Sequence, residues 1–161
     1  MKKEKMNDKG FSLVELIIVI AIMAVLVVVL APQYLKYVER ARNSTDTSNA
    51  TSIVTALQVY AADPDVEEPF TAEESFTITV SKTGTTFGTG GNNRVAGDAL
   101  DSAAISTEDL KCKSKSKWTQ YVISGTVNKN GEIKFTYSPQ EFSDSMTGGS
   151  SASASTSPTG N

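Results

Sequence analysis

A carboxylate, Glu15, stands five residues into an apolar run that ends at Ala31, directly behind Gly10-Phe11-Ser12-Leu13-Val14. Holding such a charge at the centre of a bilayer costs about 3 kcal/mol on insertion scales, so the position calls for a chemical reason. One reading leaves Glu15 near the headgroups at one end of a span. The other gives it a positive partner that exists only after the chain is cut behind Gly10, when a new amino terminus forms on Phe11. The flanking residues favour the second reading.

Elsewhere the side chains assemble no catalytic set. With no histidine in the chain, the commonest metal ligand and general base is missing. The single cysteine, Cys112, has no partner for an internal disulfide and no imidazole to activate it, so it reads as a buried, inert thiol. Gly88-Thr89-Gly90-Gly91-Asn92-Asn93 lacks the third glycine of a dinucleotide fingerprint, and no Lys-Ser/Thr pair follows Gly84 at P-loop spacing; the run reads as a surface turn. Asp63, Asp65, Glu67, Glu68, Glu73 and Glu74 offer oxygen ligands for calcium but without EF-hand spacing, and read as a solvated acidic loop. Lys111, Lys113, Lys115 and Lys117 alternate with Cys112, Ser114 and Ser116. They read first as a solubilising edge strand and second as a basic patch for phosphate backbones or acidic surfaces, with nucleic acid left open as a partner. No metal ligand set and no cofactor site is identified. The chain does not read as an enzyme.

The elements that position these groups follow from patterning. The 161 residues allow one modest domain plus an N-terminal segment. Residues 11–31 are long enough to cross the hydrocarbon core as a helix, and the cut lies ahead of them rather than behind, unlike a secretion signal. Residues 1–10 carry Lys2, Lys3, Lys5 and Lys9 against Glu4 and Asp8, so their removal shifts the formal net charge from −3 to −5, and their basic character places that end on the cytoplasmic side. Beyond Pro32, the expected site of a kink, Tyr34, Val38, Ala41, Ala50, Ile53, Leu57 and Tyr60 recur at helical spacing. A helix from about Ser12 to Ala62 would be roughly 75 Å long, ended by Asp63-Pro64. The Asn43-Ser44-Thr45-Asp46-Thr47-Ser48-Asn49 stretch has poor propensity and invites a break. Phe76-Thr77-Ile78-Thr79-Val80 alternates as a strand, and residues 119–127 and 132–137 flank Asn128-Lys129-Asn130-Gly131 as a hairpin. A glycine-rich loop is expected over 83–97 and a short helix from Ser106, with Ser106 or Thr107 as its cap. Residues 147–161 are mostly Gly, Ser, Thr and Ala and read as a flexible, solvated tail. The expected fold class is α+β: a long N-terminal helix, apolar then amphipathic, packed on a small antiparallel sheet. Its parts are 1–10, 11–31, 32–62, a β-rich head over 63–146, and the tail.

Gly10-Phe11-Ser12-Leu13-Val14-Glu15 resembles the processing signature of type IV prepilins and type II secretion pseudopilins, with Pro32 where that family commonly has a proline. The resemblance covers the first third of the chain. It implies that a prepilin peptidase/methyltransferase cuts between Gly10 and Phe11 and N-methylates Phe11. It further implies that the subunit waits in the cytoplasmic membrane, and that an assembly ATPase and its platform machinery draw copies into a surface filament. In such a filament Glu15 would pair with the methylated amine of Phe11 on an adjacent subunit. The lone Cys112 departs from the cystine-closed loop of many members, which points towards an anaerobic or Gram-positive source. Two alternatives stand beside a surface pilin: a secretion or competence pseudopilin acting as a short piston, and a single-pass anchored binding protein.

Overall fold

The structure is a computed structural model and describes residues 11–148. The expected leader 1–10, with Gly10, and the tail beyond Gly148 lie outside the described residues. The chain divides into two compact units, the first ending at Val38 and the second beginning at Glu39.

Helix α1 (Leu13–Ala62) passes through both units and through Pro32. From Leu13 to Tyr37 its apolar side chains are exposed, the large ones between Leu13 and Leu30 all at 51% or more. That is the pattern of a helix whose covering is supplied by something other than its own chain. The expected break at residues 43–49 is absent. Hydroxyls hold the local backbone instead: Thr45 Oγ1 donates to the Ala41 carbonyl at 3.0 Å and Thr51 Oγ1 to the Thr47 carbonyl at 2.9 Å. Asp46 meanwhile turns inward to a tertiary partner, and tertiary anchoring outweighs weak propensity here.

The second unit is built on a four-stranded antiparallel sheet in the order β2-β1-β3-β4, formed by β1 (Ser75–Ser81), β2 (Thr85–Phe87), β3 (Gln120–Val127) and β4 (Ile133–Ser138). Period-2 alternation sends Phe76, Ile78 and Val80 of β1, and Tyr121 and Ile123 of β3, into one core, and buries Val127 on the same side of β3. Ala50, Ile53 and Leu57 of α1 enter the same core, so the helix supplies part of the head's interior, as its second-half spacing predicts. Gly125 of β3 is required by close approach, because a Cβ there would meet the Phe76 ring at 2.2 Å.

Three local expectations are corrected. The predicted glycine-rich loop over 83–97 instead contains β2 and the first half of α2 (Gly91–Ser102). Buried asparagines make this possible: Asn92 accepts from the Thr71 amide and donates to the Thr71 carbonyl, at 2.7 and 2.8 Å, while Asn93 accepts from the Thr77 amide at 2.8 Å. These bonds fasten the first turn of α2 to the chain around it, and Val95, Ala96, Ala99 and Leu100 continue the same buried face along the helix. The predicted helix at Ser106 is only a turn, closed by the Leu110 amide on the Ser106 carbonyl at 3.1 Å. The stretch holding Lys111, Lys113, Lys115 and Lys117 is a loop and not an edge strand, because its amides bond to carboxylates of α1. Finally α3 (Gln140–Thr147) lays Phe142 against Tyr121, ring centroids 4.3 Å apart, and edge-on to Trp118 at 5.1 Å.

Candidate functional site

Two groups of residues carry the chemistry, one in each unit. In the first, Ser12 precedes α1, and its amide donates to Glu15 Oε2 at 2.9 Å. The Val14 amide donates to Ser12 Oγ at 3.4 Å, and Leu16 makes the first helical bond to the Ser12 carbonyl at 3.2 Å. Ser-x-x-Glu at this position behaves as a capping box, satisfying amides that every helix start leaves open. It also puts a negative charge at the positive end of the helix dipole. The Glu15 carboxylate is thereby held at the amide of the Phe11–Ser12 peptide bond, and the Phe11 side chain is 93% exposed. A carboxylate can accept about four hydrogen bonds; among the described residues Glu15 receives one.

The second group was not expected from sequence. Glu39 and Asp46 lie seven residues apart on α1, two turns, and so share a helix face. Asp46 is fully buried. Its Oδ1 accepts the Lys113 amide at 2.7 Å, and its Oδ2 accepts the Ser114 amide at 2.9 Å and Trp118 Nε1 at 2.8 Å, with the Cys112 thiol at 3.5 Å. Glu39 Oε1 accepts the Lys115 and Ser116 amides at 2.6 and 2.7 Å and the Ser114 and Ser116 hydroxyls at 3.1 and 3.0 Å. Its Oε2 faces Arg42 Nη1 at 3.4 Å. Four consecutive peptide amides, 113 to 116, therefore close on two carboxylates. We call this arrangement the clamp.

The electrostatics follow from that geometry. Burial alone would raise the Glu39 carboxyl, but the Lys115 and Ser116 amides and the Ser116 and Ser114 hydroxyls outweigh it and hold the group at about 2, against an ordinary 4.5. At Cys112, burial first and the Asp46 charge second push the thiol up to about 11, so it stays protonated and unreactive. A buried thiol in a strongly anionic corner is no nucleophile.

The remaining sequence candidates are scattered. Pro32 lies inside α1. Lys113, Lys115 and Lys117 are exposed on the clamped loop and Lys111 is half-buried beside them. The six acids of residues 63–74 are exposed; Glu68 pairs with Arg94, Glu73 with Lys129 at 3.4 Å, and Asp63 accepts the Asp65 amide at 2.9 Å. Among the described residues no three acids converge on a metal-sized site.

Residues 5–31, a stretch containing Gly10, Phe11 and Glu15, match the family described as the prokaryotic N-terminal methylation motif. Over 70 residues, 44% of this chain, the sequence is 30% identical to the type IV major pilin protein PilA of Myxococcus xanthus; that match spans 32% of the pilin's own length. Over 107 residues, 66% of this chain and 69% of the relative, it is 29% identical to prepilin peptidase-dependent protein A of Clostridium perfringens. No solved structure matches. The described residues include one helix long and apolar enough to cross a membrane, with a mean hydropathy of 3.4 in its most apolar window, which fits a membrane-anchored precursor. A methylation motif that opens such a helix, an antiparallel head behind it and these two relatives together support a type IV pilin-like precursor.

Proposed function

We propose that this chain is a structural subunit, not an enzyme, that polymerises into an extracellular type IV pilus after cleavage between Gly10 and Phe11. The observation that carries the reading is the state of α1 in the first unit: from Leu13 to Leu30 its apolar side chains lie open, and Glu15 among them receives one hydrogen bond from the described residues. Before assembly, lipid covers the apolar surface. In a bundle, the helices of other copies replace lipid with no loss of burial. A methylated Phe11 ammonium on an adjacent copy then supplies the positive donor that Glu15 lacks, and low dielectric strengthens the contact. That amine exists only once the peptide bond at Gly10 is hydrolysed, so processing licenses assembly. A prepilin peptidase/methyltransferase and an assembly ATPase with its platform are the implied partners. The name of the Myxococcus relative, a major pilin, supports a surface filament over a secretion piston.

The test is the native amino terminus and the fibre together. Mass spectrometry of sheared surface filaments is expected to find this chain beginning at N-methylated Phe11, and Gly10→Val is expected to leave full-length chain in the membrane and no filaments. Filaments built from uncleaved chain would overturn the reading.

A further inference from the structure

The clamp does more than close a loop. Because Glu39 and Asp46 hold the amides of residues 113–116, Ser114 is buried while Lys113, Lys115 and Lys117 face solvent. Among the described residues none of these lysines makes an ion pair, and neither do Asp65, Glu67 and Glu74 of the acidic stretch. Residues 111–117 contain four lysines and no acid, whereas residues 63–74 contain six acids and no base.

Two independent placements put these charges at opposite ends of the second unit. Along α1 the lysine loop is fastened at Glu39 and Asp46, while the acidic stretch begins at Asp63, after the helix ends at Ala62. From Asp46 to Asp63 that is about 25 Å of helix rise. Along the sheet, the Cys112 amide bonds to Ser81 at the end of β1, while the Glu73 amide bonds to Val127 at the end of antiparallel β3. The seven residues of β1 separate the two by about 20 Å.

We propose that the lysine loop of one copy docks on the acidic 63–74 stretch of the next copy, head to tail along the helix direction. This inference rests on the filament reading and names the head surface that sets its register. An interface joining two different patches leaves both patches open at the ends of any stack, and so propagates an open polymer rather than a closed dimer. The separation also explains why the charges stay apart within one chain: it exceeds the Debye length of about 8 Å at physiological salt. Complementary charge of this kind steers and orients, and juxtaposed like charge is strongly penalised.

The test uses full-length chain in cells that carry the assembly machinery, reading filament yield in the sheared fraction against chain held in the membrane. Lys113→Glu with Lys115→Glu and Lys117→Glu is expected to cut yield about tenfold or more, as is Asp65→Lys with Glu67→Lys and Glu74→Lys. Membrane-held chain should stay at the unaltered level, since every substituted side chain is exposed. Combining both sets exchanges the two surfaces and is expected to bring yield back to within about threefold of the unaltered chain. The combined variant assembling as poorly as either set alone would overturn the contact, as would normal yield from each set. If the lysine set leaves yield intact but abolishes retention of DNA on the filaments, the loop serves nucleic acid and the head-to-tail contact falls. Absence of filaments from the unaltered chain would sink the polymer reading itself.

Discussion

The two units place carboxylates on the same helix and satisfy them in opposite ways. In the second unit Asp46 receives two amides, an indole and a thiol, and Glu39 receives two amides, two hydroxyls and a guanidinium. Both are saturated by their own chain. In the first unit Glu15 receives one amide from the described residues and stands among exposed apolar side chains. A saturated carboxylate is a structural fixture. One left with open acceptor capacity in an apolar setting demands a donor from elsewhere. The difference separates what makes this subunit fold from what makes it assemble.

The largest expected effect breaks the comparison on the Glu15 side. Glu15→Val removes the unsatisfied acceptor and leaves every head contact in place, so filaments are expected to vanish from the sheared fraction while the detergent-solubilised chain melts as before. Unchanged filament yield would mean that the carboxylate only caps the helix. A combined loss of filaments and of melting temperature would mean that the two units are not separable in function.

On the other side, Asp46→Ala is expected to destabilise the head by about 3–5 kcal/mol, since several buried donors lose their acceptor at roughly 1–3 kcal/mol each. Trp118 donates to Asp46, so indole fluorescence during urea unfolding of the solubilised chain reports the change. Cys112 gives a second readout: its protonated thiol should alkylate slowly at pH 8 in the unaltered chain and faster once the anion beside it is gone and the loop opens.

Glu39→Gln should act more gently, about 1–2 kcal/mol near neutrality, and should flatten the acid limb of stability. The folded chain keeps Glu39 ionised down to about 2, whereas the unfolded chain protonates it near 4.5. The contribution is therefore present above pH 4.5 and lost as pH falls towards 2. The difference in midpoint between the two proteins should shrink over that window; a constant difference would show that Glu39 acts through shape alone.

How much of this was legible in sequence depends on the range of the forces involved. Strands β1, β3 and β4 follow from alternation at Phe76, Ile78 and Val80 and from the hairpin residues 128–131, because a strand half-buried on one face writes a period of two into its own residues. Helix α2 was hidden behind Gly88, Gly90 and Gly91, although Val95, Ala96, Ala99 and Leu100 carry helical spacing. Ser12 and Glu15 also hold the capping-box spacing, a local signal readable without any structure. The clamp was not readable: its partners lie 66 to 77 residues apart, and half of the donors are peptide amides, which carry no sequence signal. Only the seven-residue spacing of Glu39 and Asp46 hinted at a shared face.

The smallest effect sharpens the comparison from inside the head. Tyr121 is fully buried and stacked on Phe142, yet its hydroxyl has no hydrogen-bond partner among the described residues. Burial first, then the charge of Asp46, pushes its ionisation upward, so the group stays neutral and contributes no ion pair. If donors in this corner are already committed to Asp46, the hydroxyl adds nothing, and Tyr121→Phe should leave stability within about 0.5 kcal/mol or raise it slightly. The ring stack survives the change, so packing is held constant and only the polar group is varied. A loss of about 1–3 kcal/mol in urea unfolding would show that the hydroxyl is bound through water to the clamp. Asp46 would then draw on one more donor than its direct contacts supply, and saturation within one chain would no longer distinguish it from Glu15.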